Sequence, residues 1–227
     1  MVEQRFCKAW VGGSIPLSGS MDDLKTTYNK IAGEWNKDHG NDTWWVEGVD
    51  QFVSLLKPGA AVLDLGCGAG VKSKYLSEKG LQVNGIDFAE KMIELARKNV
   101  PQAEFSVLDI HDLDNLGKTF DGILAQAVLL HIPKKEIQTI FEIIKRALRP
   151  NGYLYVAVKH VNPGEPEEEV RTEHDYGYEY SRFFSYFTVD ELKKYFNMAG
   201  MTVCYERLND PEPGKRAWIQ VIGQKTA

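Results

Sequence analysis

The feature that most constrains this chain is the stretch Ala60-Ala61-Val62-Leu63-Asp64-Leu65-Gly66-Cys67-Gly68-Ala69-Gly70. An apolar run leads into an acid and then into three glycines on alternate positions. Ala61 to Leu65 reads as a buried parallel strand, apolar on both faces. The glycines let the backbone turn tightly and approach a ligand with no Cβ in the way. Polar residues from Lys72 onward, with apolar Tyr75 and Leu76, start a helix. Strand, glycine turn and helix form the entry to a nucleotide-binding crevice. The dinucleotide fingerprint wants a third small residue where this chain has Val71, and Gly70 comes one place early. Asp64 just before the glycines would repel a pyrophosphate and suits a cationic ligand. No Gly-Lys-Ser/Thr follows, so a Walker A loop is excluded, and a nicotinamide oxidoreductase is disfavoured.

The remainder of the chain repeats this alternation. After a glycine- and serine-containing start over 1–20, expected to be flexible, Leu24, Thr27, Tyr28, Ile31, Ala32 and Trp35 fall at helical spacings. Trp44, Trp45, Val49, Phe52, Val53 and Leu56 make a second helical face, stopped by Lys57-Pro58-Gly59. Strands are expected at 61–65, 81–86, 103–108, 120–126, 153–158, 202–208 and 217–223. Helices are expected from Val71 to Lys79, Glu90 to Asn99, Pro133 to Arg149 and Thr188 to Gly200, the last with a capping box in Thr188 and Glu191. Residues 111–118 read as a polar loop, Pro150-Asn151-Gly152 as a turn, and 209–215 as a hairpin loop. The result is an α/β fold. It is a doubly wound, mostly parallel seven-stranded sheet with an antiparallel last strand, helices on both faces and two extra N-terminal helices. Residues 21–227 are expected to form one domain, with 21–57 as a helical cap and the aromatic insert 160–187 as a lid over an acceptor site.

Composition excludes several classes. With 43% hydrophobic and 26% charged residues in 227, the chain is an ordinary globular protein able to bury a core. A net charge of −5 gives no general drive toward nucleic acid or anionic membrane. Cys7, Cys67 and Cys204 are scattered, without metal-ligand spacing, and fit a reducing, cytoplasmic compartment. No apolar run approaches a membrane span, and no secretory signal is visible.

Val62-Leu63-Asp64-Leu65-Gly66-Cys67-Gly68-Ala69-Gly70 resembles the first motif of class I, Rossmann-like S-adenosylmethionine (AdoMet) dependent methyltransferases of the bacterial small-molecule type. The resemblance implies AdoMet as cofactor, lying across the carboxyl ends of the parallel strands. It places Asp64 and the Gly66, Cys67, Gly68 and Gly70 turn at the amino acid moiety, and Asp87 at the ribose hydroxyls. Phe88 would stack on adenine, near Met92 of the next helix. Asp109 would contact the exocyclic amine and Ile110 the ring, while Gln126 and Ala127 would hold the methionine end. Tyr28-Asn29-Lys30-Ile31-Ala32 resembles the segment that folds over the cofactor in many small-molecule methyltransferases. The block from Arg182 to Thr188, followed by Glu191-Leu192, resembles one found in bacterial members of the class. It marks Tyr178, Arg182, Phe184 and Tyr186 as acceptor-binding residues. Arg182 would meet either an acidic acceptor group or the acidic run Glu167-Glu168-Glu169.

The transfer itself is an in-line displacement from an already activated sulfonium, so alignment supplies much of the rate. A base is needed only for an acceptor that must lose a proton, and the candidates are His131 and His160, at strand ends. A structural, helix-capping role for His131 stands beside the catalytic one. The expected partner is a small-molecule acceptor, with no membrane, nucleic acid disfavoured, and the protein a monomer or homodimer. A tRNA or protein methyltransferase and a catalytically silent AdoMet-binding protein are the alternatives.

Overall fold

The structure, a computed structural model, describes residues 21–209 and 215–226. The glycine-containing start and most of the 209–215 loop therefore lie outside the described residues.

The first strand of the motif is β1 (Ala61–Leu65), followed by helix α3 (Val71–Glu78), after α1 (Met21–His39) and α2 (Val46–Ser54). Then come β2 (Gln82–Asp87), α4 (Glu90–Asn99), β3 (Glu104–Val107), β4 (Phe120–Gln126), α5 (Lys134–Ala147) and β5 (Leu148–Lys159). A hairpin of β6 (Glu168–Glu173) and β7 (Tyr180–Ser185) precedes α6 (Val189–Met198), β8 (Met201–Leu208) and β9 (Trp218–Lys225). The main sheet among the described residues has seven strands in the order β3-β2-β1-β4-β5-β9-β8. Strands β1 to β5 are parallel, while β9 runs antiparallel to both β5 and β8. The chain winds outward from β1 to β3 and then returns to β4 on the other side. That reversal opens a crevice at the carboxyl ends of β1 and β4, where an open sheet of this kind takes its ligand.

Alternation along each strand divides the core between the two faces. Leu63, Leu65, Ile123, Ala125, Leu154 and Val156 pack with Ile140, Phe141 and Ile144 of α5 and Phe196 of α6. Val62, Leu124, Tyr155 and Ala157 pack on the other face with Val49 and Phe52 of α2 and Leu76 of α3. Strand β1, apolar on both faces, is buried on both faces, as a central parallel strand requires.

Three local expectations are corrected. Helix α5 stops at Ala147, and the Pro150-Asn151-Gly152 segment is part of β5. There the register with β4 slips between Phe120 and Gly122, a bulge carried by Asn151 at φ 62°. The 111–118 segment is not irregular: Ile110–Leu116 forms a 3-10 helix, which begins where the Asp109 carboxylate accepts from His111 N. The 160–187 insert, for which no strand was expected, holds a β-hairpin, with β6 and β7 paired antiparallel from Glu168↔Ser185 to Glu173↔Tyr180. The capping box of α6 is formed as expected by Thr188 and Glu191.

Candidate active site

The glycine turn after β1 needs its residue types. Gly66, Gly68 and Gly70 all have positive φ (68°, 53° and 85°). A Cβ on Gly66 would lie 2.7 Å from a Val128 methyl, and one on Gly70 would crowd Ala96 of α4 at 3.2 Å. Gly66 and Gly68 line the crevice, whereas Gly70 sits behind it, where α3 and α4 approach. Cys67 packs with Phe105, Ile93 and Ala96; burial pushes its thiol well above the usual range, so it is not a nucleophile.

Two buried carboxylates flank this turn. Asp64 Oδ2 accepts from Ser73 Oγ at 2.6 Å. Asp87, at the end of β2, accepts from Gly68 N at 3.0 Å and from Ala89 N at 2.9 Å, which fixes its orientation. Burial pushes both carboxyls up to about 6, only partly countered by those hydrogen bonds. Lys72 lies near Asp64 and is itself lowered by burial. Opposite them, Gln126 is buried with neither atom of its side-chain amide hydrogen-bonded within the described protein. An orphaned amide costs free energy unless a ligand satisfies it, and it faces the same cavity.

That cavity brings together most of the residues expected from the sequence: Tyr28, Asp64, Gly66, Cys67, Gly68, Asp87, Phe88, Met92, Asp109, Ile110, Gln126, Ala127, His131, Arg182 and Phe184 all line it. Besides Gly70, three candidates lie elsewhere. His160 forms a bridge with Phe187, its N–H bonding Ala217 O, outside the cavity. Tyr178 stands on the hairpin connection with Lys30 4.0 Å over its ring. Tyr186 is buried, donates to Glu169 at 2.6 Å and lies under Arg216. None of the three lines the cavity: His160 precedes the hairpin, Tyr178 lies on the connection between its strands, and Tyr186 follows β7, where it is held by Glu169 and Arg216.

At the far end of the cavity the arrangement differs from expectation. His131 is buried and Nδ1 lies 2.7 Å from Phe183 O. A carbonyl only accepts, so Nδ1 carries the proton and Nε2 accepts from the Tyr28 hydroxyl, also at 2.7 Å. Burial and the nearby Arg182 lower His131 to about 3, so it is neutral throughout the neutral range. A base this weak, with its lone pair already engaged, does not fit the general-base role. It orients Tyr28, whose hydroxyl also receives a bond from Arg182 Nη1 at 3.4 Å. Arg182 in turn makes a two-point ion pair with Glu173, at 2.6 and 2.7 Å. Its partner is thus not the Glu167 to Glu169 run. Glu167 and Glu168 bond Lys134, and Glu169 bonds Tyr186. The sequence reading passed over Lys159, Trp218, Lys72 and Trp35, which also line the cavity. Lys159 carried a legible signal, as a lone cation ending the apolar run of β5.

A methyltransferase domain model matches residues 62–152, which is β1 through the bulge of β5 and holds the glycine turn, both carboxylates and Gln126. A ubiquinone biosynthesis O-methyltransferase from Xanthomonas campestris is 31% identical over 168 residues, covering 65% of this chain and 66% of that one. A solved AdoMet-dependent methyltransferase from Methanosarcina mazei superposes with a TM-score of 0.67 at 26% identity, covering 76% of this chain and 95% of that one. The chain belongs to the class I AdoMet-dependent methyltransferases. Within the family, a phosphoethanolamine N-methyltransferase from Triticum aestivum is 34% identical over 134 residues. A Burkholderia thailandensis 1,6-didemethyltoxoflavin-N1-methyltransferase shares the fold over 96% of this chain, with a TM-score of 0.73 at 20% identity. This methyltransferase chain spans 26%, 29% and 44% of the lengths of three curated relatives, two phosphoethanolamine N-methyltransferases and a ubiquinone biosynthesis O-methyltransferase. No helix among its described residues is long and apolar enough to cross a membrane.

Proposed function

We propose that this protein transfers the methyl group of AdoMet to a small-molecule acceptor by in-line displacement. The observation that carries this reading is the trio of Asp64, Asp87 and the unsatisfied Gln126 amide around one glycine turn. AdoMet supplies a methyl group on a sulfonium, already electrophilic. Asp87, braced by two backbone N–H groups, accepts from the ribose hydroxyls. Phe88, Ile110 and Met92 enclose the adenine, with Asp109 at its amine. Asp64 supplies negative charge near the glycine backbone for the cationic amino acid moiety, and Gln126 and Ala127 close that end. The relatives named for O- and N-methyl transfer to small molecules support the acceptor class.

Tyr28 on α1 and Arg182 on β7 meet over the cavity, which supports the helical cap and the hairpin as a lid. Residues 21–227 would then act as one catalytic unit. With His131 serving to hold Tyr28, alignment of the acceptor rather than proton abstraction drives the transfer. The reduced thiols of Cys67 and Cys204 fit a cytoplasmic enzyme, and the reading extends to a monomer or homodimer without nucleic acid. Calorimetric titration with AdoMet, its demethylated product S-adenosylhomocysteine (AdoHcy) and NAD tests the cofactor assignment. AdoMet and AdoHcy are expected to bind and NAD to bind more weakly; tighter binding of NAD would refute the reading.

A further inference from the structure

The acceptor end of the cavity holds a cation with no carboxylate of its own. Lys159 ends β5, and its Nζ lies 4.8 Å from the centroid of Phe184 and 5.8 Å from that of Trp218. All three residues line the cavity, with Arg182 beside them. No hydrogen bond or ion pair engages Lys159 Nζ within the described protein. The charged groups that face it are Arg182, Arg171 and Glu173 from the hairpin and Arg216 from the segment entering β9. The one acid among them is already engaged: Glu173 is held at two points by Arg182. Burial and these like charges lower Lys159 to about 8, which leaves it mostly protonated at neutral pH. A half-buried ammonium beside a guanidinium is unfavourable until an anion arrives.

We propose that the acceptor methylated by this protein carries an anionic group that sits against Lys159 with Arg182 beside it. The proposal rests on the methyltransferase reading above and names the substrate class of that site. Arg182, fixed by Glu173 and Tyr28, adds positive field without needing to leave its partner. The rings of Phe184 and Trp218 exclude water from the ion pair, which strengthens it. They also favour an acceptor whose body is flat and apolar behind the charge.

The test uses matched pairs of small probes, each with and without saturating AdoHcy: benzoate against benzamide, phenylacetate against phenylacetamide, and phenyl phosphate against phenol. Ligand-detected NMR reads the affinities. At least one acid is expected to bind tenfold or more tighter than its neutral mate. Lys159→Met should abolish that preference while AdoHcy affinity holds, and Lys159→Arg should restore it. The Lys159 side-chain resonance should titrate to higher pH when the acid is bound. If AdoHcy binds but no acid is preferred in any pair, whether both members bind or neither, the anion site is overturned alone. If the preference survives in Lys159→Met, it is overturned too. If the acid preference is present while AdoHcy fails to bind, the anion site stands and the methyltransferase reading falls.

Discussion

At the scale of single residues, burial decides the protonation of the site. Asp64 and Asp87 are raised above their ordinary 3.8 to about 6, so the protein without ligand binds more protons there than the unfolded chain between those values. Their contribution to stability is present below about pH 4 and is lost as pH rises through about 6, the reverse of a salt-bridged acid. Ligand binding has the opposite dependence, because the ammonium of the amino acid moiety and the ribose hydroxyls want both groups ionised. AdoHcy affinity is therefore expected to be full above about pH 6 and to weaken below it, by up to about tenfold per pH unit per group. Calorimetry across pH 5–8 in buffers of different ionisation enthalpy checks this, with proton release near pH 6. A flat profile would mean that neither carboxylate senses the ligand. His131 behaves differently: its lowered pKa predicts the neutral, Nδ1-protonated ring from pH 5 to 9, which nitrogen-15 chemical shifts report directly. A titration of this ring near 6.5 would restore it as a candidate base.

At the scale of elements, α1 and the β6–β7 hairpin are joined over the cavity, and the lid proposed above predicts that they move together. Thr27 Oγ1 bonds Ser181 O at 3.1 Å, Tyr28 meets Arg182, and Lys30 lies over Tyr178. Most of these bonds are polar and part-exposed, so the cover should open at lower cost than the sheet. Hydrogen exchange is expected to show α1 and 168–185 exchanging faster than β1, β4 and β5 without ligand, and slowing together when AdoHcy is added. Equal protection of cover and sheet in the free protein would refute a moving lid. The βα units were legible because each carries a periodic apolar pattern and a glycine or proline stop. The hairpin was not legible: Glu168 to Glu173 has four charged residues and one large apolar one, with no strand period, and it forms because β7 offers it a partner. The strand-end residues that line the cavity followed from the motif. The roles of His131, His160 and Tyr186 did not, since each depends on which way a side chain turns after an irregular link.

At the scale of the molecule, the doubly wound, mostly parallel sheet was readable from the alternation of strands and helices, because right-handed crossovers leave few arrangements. The position of β9 was less accessible, as two short strands near the end of the sequence can join a sheet in either order. In the structure β9 fills the gap between β5 and β8, pairing with β5 from Tyr153↔Gln224 to Lys159↔Trp218. Every residue of β9 from Ile219 to Gly223 is buried. That insertion has a consequence for biosynthesis. The strand that joins β5 to the edge strand β8 leaves the ribosome after both of them. Until Trp218 to Lys225 has emerged, the edge of β5 stands unpaired with its apolar faces half dressed, the state most open to pairing with a neighbouring nascent chain. The same edge carries Lys159, so the acceptor end is finished only when synthesis reaches β9, well after the glycine turn and its carboxylates have been made.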